Sequence, residues 1–513
     1  MLFYPFCEFL IFFYLKFLQN LFLFFSYRAK IRIMKKIMLC YPPGDLSDRI
    51  KNRYKFNTTD IFPKTMKACN DLGYMAAALM PDGHEVFLRD YKIEQKTALD
   101  FLDDILKFSP DVIVMKTSSV DIFEDLKLVR MIKSSNPEIL VVLKSEIFFN
   151  PSNDFLTEMP LGGVDYLIGS DAAFVLPKLV KAHYENPESV YQIPFITICR
   201  NGIMQNTNFY APHGNINDLP FPARSIMKNE YYYRPDTKKV TATIYTGKGC
   251  SGKCLHCYEP VLSDGIQTVR PAKKVFEEMY ECFSKYGIRS FVFPSDTFNH
   301  DEKWIEEFCD LIIASPMKGN VDWIANVNIA KFTEYMAMEM KAAGCSIVIM
   351  RFDCGSDDSL LRLGRGFTVD ECFNSVEIAR KLKLKIYGIF SMGYPWEDET
   401  HLNATKKVMY KICPDKVFLT MPVAYPNSKT EELFRKENIL KDSIITDRSI
   451  KIPPMGTKFL SHKFVRKYRR KTLIGYYLNP KYVWKQIIAM YNDPESLKNY
   501  FNFVVELFKN KQQ

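Results

Sequence analysis

"GKGCSGKCLHCYEP", residues 247–260, sets Cys250, Cys254 and Cys257 in a C-x3-C-x2-C spacing directly after the apolar run "TATIYTG". A short buried run followed at once by a glycine-rich loop reads as a strand whose carboxyl end carries chemistry. A structural zinc site closes with four ligands, usually from two paired cysteine units. This loop has three cysteines, and no second pair stands at that kind of spacing. His256, lying between Cys254 and Cys257, does not easily turn toward the same ion. Three thiolates suit a four-iron, four-sulfur cluster with one iron left open to a substrate or cofactor. Gly247, Gly249 and Gly252 relieve the backbone crowding of a loop wrapped round such a group.

Outward from the loop, apolar runs at 241–247, 290–296, 322–327, 346–353, 385–393 and 415–424 read as strands. Helical spacing fills the intervals at 271–286, 302–315, 331–343, 368–383 and 399–411. Six strands alternating with five helices predict a partial (β/α)6 TIM-like barrel over 241–457. Upstream, "KIMLCYPP", "HEVFLRDY", "DVIVMKTSS", "EILVVLKSE" and "VDYLIGSD" read as buried parallel strands. Helices at 97–108 and 121–135 and the helical run "GYMAAALMPDG" fit the crossovers between them. Residues 34–190 are therefore expected to form a doubly wound, Rossmann-like α/β domain whose ligands bind at the carboxyl ends of its strands. Residues 191–240, with the punctuation "NDLPFPARSIM", read as a connector. Residues 458–513 read as a basic helical C-terminal region.

Thirteen cysteines, most of them single in hydrophobic elements, make a poor disulfide framework and point to a reducing, cytoplasmic compartment. Cys282, Cys309, Cys345, Cys372 and Cys413 read as small buried hydrophobes. The net charge of +10 sits at the ends: +5 in residues 1–36 and +9 in 458–513, leaving the body near −4. A slightly acidic body argues against a nucleic-acid groove there. The basic run "KFVRKYRRK" (463–471) is compatible with a membrane surface, and its apolar spacing also suits a solvated helix face. Residues 1–33 are Phe/Leu-rich but interrupted by Lys16, Gln19 and Asn20. A membrane helix needs ~20 mostly apolar residues, so two readings stand for this stretch: an anchor, or translation that begins at Met34.

The cysteine loop and its setting resemble the radical S-adenosylmethionine superfamily, whose signature is this spacing on the loop after the first barrel strand. The resemblance implies a [4Fe-4S] cluster held by Cys250, Cys254 and Cys257, with S-adenosylmethionine chelated at the open iron. One electron from an external donor such as flavodoxin or ferredoxin would cleave the sulfonium to methionine and a 5′-deoxyadenosyl radical, which takes hydrogen from an unreactive carbon. "FVFPSDTFNHDEKWIEEFC", "MKAAGCSIVIMRFDCGSDDSLLRLGRG" and "IFSMGYPWEDET" are similar to the second-, fourth- and fifth-strand motifs of the branch that carries a cobalamin-binding domain. They imply that Asp296, Asp353 and the Met392–Gly393 backbone line the S-adenosylmethionine pocket. Ser295 stands where that branch has a first acid, and Asp353-Cys354 where it has Glu-Ser.

"YPPGD", "GYMAAAL", "GHEVFLRDY", "PDVIVMKTSS" and "GVDYLIGSDAAFVLPKL" resemble the cobalamin domain itself. Two departures bear on the cofactor. No D-x-H-x-x-G motif offers an axial histidine, and the fourth strand ends in Lys144-Ser145, followed by Glu146, Phe148 and Phe149, where the branch has Gly-Gly. If cobalamin is held, the resemblance implies methylation of an unactivated carbon of a small-molecule or lipid substrate. An oxidative cyclase or another radical tailoring enzyme without cobalamin is the alternative. Transfer-RNA methylthiolation would call for three further cysteines, and Cys40 and Cys69 have no third partner before Cys199. A non-catalytic iron–sulfur or cobalamin sensor is the reading from another class.

Overall fold

Every residue of "VIVMK" (β3, Val112–Lys116) and "LVVLK" (β4, Leu140–Lys144) is buried, as central strands covered on both faces must be. In the computed structural model they sit in a sheet with β1 (Lys36–Tyr41), β2 (Glu85–Asp90) and β5 (Tyr166–Ile168). These five strands are parallel in the order β2-β1-β3-β4-β5. Residues 34–44, 68–118, 121–149, 158–200, 203–207, 214–234, 237–257, 259–295, 298–424, 428–440, 445–446, 449–450 and 455–492 are described by the structure. The hydrophobic 1–33 stretch lies outside them. Among the described residues no helix is long and apolar enough to cross a membrane.

Strand alternation divides the apolar side chains between two cores. Met38 and Cys40 face the helices Ala98–Phe108 and Ile122–Ser135, while Ile37 and Leu39 face Asn70–Leu79 and Ala172–Glu185. The strand order reverses between β1 and β3, so the domain is doubly wound with its crevice at the carboxyl edge. The stretch read as a connector does more than connect. β6 (Ile196–Arg200) and β7 (Ile203–Asn206) extend the same sheet antiparallel beyond β5. The dipeptide Asn201-Gly202 between two apolar runs was the sequence signal for that hairpin.

The second sheet is parallel throughout and runs β8 (Thr241–Thr243), β11 (Ser290–Phe293), β12 (Asp322–Val327), β13 (Cys345–Asp353), β14 (Lys385–Ser391) and β15 (Lys416–Thr420) in chain order. The ribbon β9 (Gly247–Lys248) and β10 (Thr268–Val269) stands apart as an antiparallel pair. This is the partial six-stranded barrel expected from the alternation, and Cys282, Cys309, Cys345, Cys372 and Cys413 are buried in it. An open barrel leaves an edge strand with unpaired peptide groups. The helix His462–Tyr477 covers it. The Tyr477 hydroxyl accepts from the Val417 N–H (3.1 Å) and donates to the Val417 carbonyl (3.0 Å), and Arg469 donates to the Leu419 carbonyl (3.0 Å). The basic run thus turns Val465 and Arg469 toward the barrel and leaves Lys463, Lys467, Arg470 and Lys471 exposed.

A buried ion network joins the two sheets. Glu278 on the helix Ala272–Lys285 receives Arg224 (2.7 Å) on one carboxylate oxygen and Arg270 (2.6 Å) on the other. Arg224 also reaches Asn70 Oδ1 (3.4 Å) and the Thr243 carbonyl (3.0 Å), and Asn70 donates to that same carbonyl (2.6 Å). The helix that carries Asn70 (Asn70–Leu79) is thereby fastened to β8, the first strand of the second sheet. Glu278→Gln strands two buried guanidinium groups and is expected to cost about 3–5 kcal/mol, read as a drop in the urea-unfolding midpoint. A loss under ~1 kcal/mol, the scale of an exposed pair, would show that the network does not hold the domains together.

Candidate functional site

The β9–β10 ribbon closes the cysteine loop at its base. Gly249 has φ +75°, and a Cβ there would stand 2.0 Å from the Ile266 carbonyl oxygen, so only glycine passes. Gly252 presents bare backbone to two sulfurs: its Cβ would lie 3.1 Å from Cys250 Sγ and 3.9 Å from Cys254 Sγ. The Gly252 N–H also donates to Cys250 Sγ at 3.3 Å, and Arg365 Nη1 donates to Cys254 Sγ at 3.0 Å. All three cysteines are at intermediate burial. Among the described residues no three His, Cys, Asp or Glu side chains are grouped to hold a single metal ion. Three thiols on one short loop, two of them facing the bare backbone of Gly252, suit a polynuclear cluster, whose ligands take separate corners.

Asp353 ends β13 where the register with β14 shifts, and it is held in the left-handed region at φ +56°. Its carboxylate is fully buried, 2.8 Å from Arg365 Nε and 3.7 Å from both Arg351 Nη1 and His256 Nε2. Burial pushes its pKa up, but Arg365, His256 and Arg351 together hold it below the usual carboxylate range. Burial drives the His256 pKa down to about 4 against the pull of Asp353, so the imidazole is neutral near pH 7. Its Nδ1 is buried without a hydrogen-bond partner, and its ring lies 6.1 Å from that of Tyr394.

One cavity of about 440 Å³ collects these groups. From the barrel it takes Cys250, Cys254, Cys257, His256, Ser295, Asn326, Arg351, Arg365 and Tyr394; from the N-terminal domain, Asp71, Lys144, Glu146 and the turn Gly169–Phe174. The carboxyl edges of both sheets therefore face the same space. Lys248 of the cysteine loop forms an ion pair with Asp171 of that turn, crossing the rim. On the N-terminal side Glu146 takes Lys144 and Lys116, each at 2.6 Å. Burial lowers the Lys144 pKa to about 8, with Glu146 opposing. A Cβ on Gly169 would meet the Phe148 carbonyl group and Phe149 Cα at 2.6 Å, so the chain following β4 lies directly over the end of β5.

Of the other residues expected in the pocket, Asp296 lies outside the described residues. Asp353 stands behind the cavity wall, and the two arginines it holds reach the surface in its place. Met392 is fully buried, with its N–H donating to the Thr420 carbonyl at 2.9 Å, and the Gly393 N–H donates to Glu397 Oε2 at 2.7 Å. Their neighbours line the cavity instead, Ser391 from the end of β14 and Tyr394 from the turn that follows it. Glu397, which completes the Gly-x-Pro-x-Glu motif, accepts from Gly393 and Tyr394 (3.1 Å) and so closes the turn rather than facing the cavity. Arg365 escaped the sequence reading, although its place between Gly364 and Gly366 marked an unusual backbone.

Residues 244–408 match the Radical SAM superfamily. An uncharacterized methyltransferase of Pyrococcus horikoshii is 24% identical over 418 residues, spanning 81% of this chain and 89% of the relative. Among solved structures, the radical S-adenosylmethionine methyltransferase TsrM from Kitasatospora setae, with cobalamin and a [4Fe-4S] cluster bound, superposes with TM-score 0.60 at 18% identity over 77% of either chain. The cobalamin-dependent S-adenosylmethionine radical enzyme OxsB superposes with TM-score 0.68 at 12% identity, over 93% of this chain and 71% of that one. At these identities the structural likeness speaks for the fold, a doubly wound domain followed by a partial barrel, while the match over the barrel speaks for the cofactors, a [4Fe-4S] cluster and S-adenosylmethionine. Residues 244–408 thus form a Radical SAM domain, and the chain shares with TsrM and OxsB a fold in which a doubly wound domain precedes the partial barrel.

Proposed function

We propose that the protein transfers a methyl group to an unactivated carbon of a small molecule held between its two domains, with cobalamin as the methyl carrier. The observation that supports this reading most is the single cavity bounded by the cysteine loop on one side and the ends of β4 and β5 on the other. Methyltransferases among the relatives, and cobalamin in both solved neighbours, support it further. Cys250, Cys254 and Cys257 would hold three irons. Ser295, Asn326, Arg351, Tyr394 and the unpartnered Nδ1 of His256 are the polar groups placed to receive S-adenosylmethionine. The cluster and S-adenosylmethionine, when bound, supply one-electron cleavage of the sulfonium and hydrogen-atom abstraction from carbon, with the electron drawn from an outside donor of the flavodoxin or ferredoxin kind. Methylcobalamin, when bound, would supply the methyl group. The protein's share is to position these partners and keep water from them. His256, neutral and with Asp353 behind it, adds no positive charge to the pocket; Arg351 and Arg365 supply that.

A second reading, radical tailoring without cobalamin, is favoured by the end of β4. A nucleotide tail entering beside that strand needs bare backbone. Here it meets the Lys144–Glu146–Lys116 ion pairs, and the Phe148–Phe149 segment already packed on Gly169.

Anaerobic reconstitution with iron and sulfide separates these readings. Four irons per chain, with 5′-deoxyadenosine formed from S-adenosylmethionine and abolished in Cys250→Ala/Cys254→Ala/Cys257→Ala, is the expected result. A cluster that never cleaves S-adenosylmethionine would overturn the enzymatic proposal. Titration with hydroxocobalamin then decides the methyl carrier: stoichiometric binding is expected, and its absence moves the assignment to the second reading. Gly249→Ala should reduce iron incorporation several-fold while leaving the far-ultraviolet circular dichroism of the barrel unchanged, because the clash is confined to the loop.

A further inference from the structure

The guanidinium of Arg365 is held on three sides. Nη1 donates to Cys254 Sγ at 3.0 Å, Nη2 donates to the Arg351 carbonyl at 3.2 Å, and Nε lies 2.8 Å from the Asp353 carboxylate. The backbone that delivers it is equally constrained. Gly364 and Gly366 have φ +68° and +71°, and a Cβ on Gly364 would stand 2.8 Å from the Lys253 carbonyl oxygen, so glycine lets this segment lie against the cysteine loop. The Leu255 N–H, next to Cys254, donates to the Leu363 carbonyl at 3.0 Å and ties the two segments together. Asp353, the anchor of the guanidinium, is fully buried in a left-handed conformation that costs an ordinary side chain of order 1–3 kcal/mol. Such strain at a residue that touches no cavity surface calls for a partner that benefits from it.

We propose that Arg365 is a positioning residue that donates a charged hydrogen bond to the Cys254 thiolate and thereby raises the reduction potential of the cluster, with Asp353 locking the guanidinium in place. The inference rests on the reading that Cys250, Cys254 and Cys257 hold that cluster. A reduced cluster carries one more negative charge than an oxidised one, and a cation hydrogen-bonded to a ligand sulfur stabilises the reduced form more. Cys250 receives a backbone donor from Gly252, and Cys254 receives the charged donor from Arg365. Lysine would keep the charge but lose the planar fork that reaches sulfur, carbonyl and carboxylate together.

The test is a redox titration of the reconstituted protein, followed by electron paramagnetic resonance of the reduced cluster, for the wild type, Arg365→Lys and Arg365→Gln. Arg365→Gln is expected to hold four irons and to shift the reduction equilibrium at least tenfold toward the oxidised form, about 59 mV for one electron. Arg365→Lys should shift it in the same direction but less. A fully loaded Arg365→Gln cluster with the wild-type midpoint would overturn the proposal. If Arg365→Gln loses its cluster, Arg365→Lys decides: a lowered midpoint supports the proposal, and the wild-type midpoint overturns it. A wild-type protein that assembles no cluster would instead overturn the reading of the three cysteines, a result distinct from any of these.

Discussion

Glu278 carries one negative charge into a place with no solvent, and two arginines from different parts of the chain meet there. Removing three charged groups from water costs several kcal/mol apiece, which the attraction between them recovers only with good geometry and further hydrogen bonds. Arg224 and Arg270 have those: carbonyls of Thr243 and Tyr245 at the end of β8 and just beyond it, and the side chain of Asn70. Such a network adds less to stability than to specificity, because a shifted docking of the domains would leave an unpaired charge in the interior. It thereby sets the register of the whole molecule. With the helix Asn70–Leu79 fastened to β8, the carboxyl edges of both sheets face one cavity, and the Lys248–Asp171 pair closes the same contact at the rim.

Around that cavity the backbone departs from ordinary conformations where a ligand would be gripped. Gly249, Gly364 and Gly393 occupy positive φ, and Asp353 does so with a side chain. Each departure brings one segment against another: the cysteine loop onto Ile266, the Gly364 turn onto Lys253, the fifth-strand turn onto Val465. Strain of this kind persists only where the surroundings over-determine it, and it clusters at sites that must be preorganised.

The acidic motif residues act at one remove. Glu397 holds the peptide N–H groups of its own turn, and Asp353 holds two arginines and faces a neutral histidine. Burying a carboxylate behind the wall and exposing the cations it orients leaves the pocket positively charged beside the sulfurs. That arrangement suits a site that must receive an electron and an anionic carboxylate together.

The sequence by itself determined the two βα series, their order, the place of the cysteine loop after β8, and the burial of the scattered cysteines. All of these obey local rules: a period of 2 or 3.6 residues, glycine where a loop turns tightly, and ligand spacing within eight residues. Only the tertiary structure decided which residues reach the cavity. Met392 and Gly393 belong to the expected motif, but Ser391 at the end of β14 and Tyr394 in the turn after it line the cavity instead, and Asp353 lies behind the wall while Arg351 and Arg365 reach it. The Arg224–Glu278 pair spans 54 residues and Arg365–Cys254 spans 111. Pairings of that reach leave no periodic trace in the chain, because they depend on how two sheets and their loops pack, and packing is a property of the folded whole.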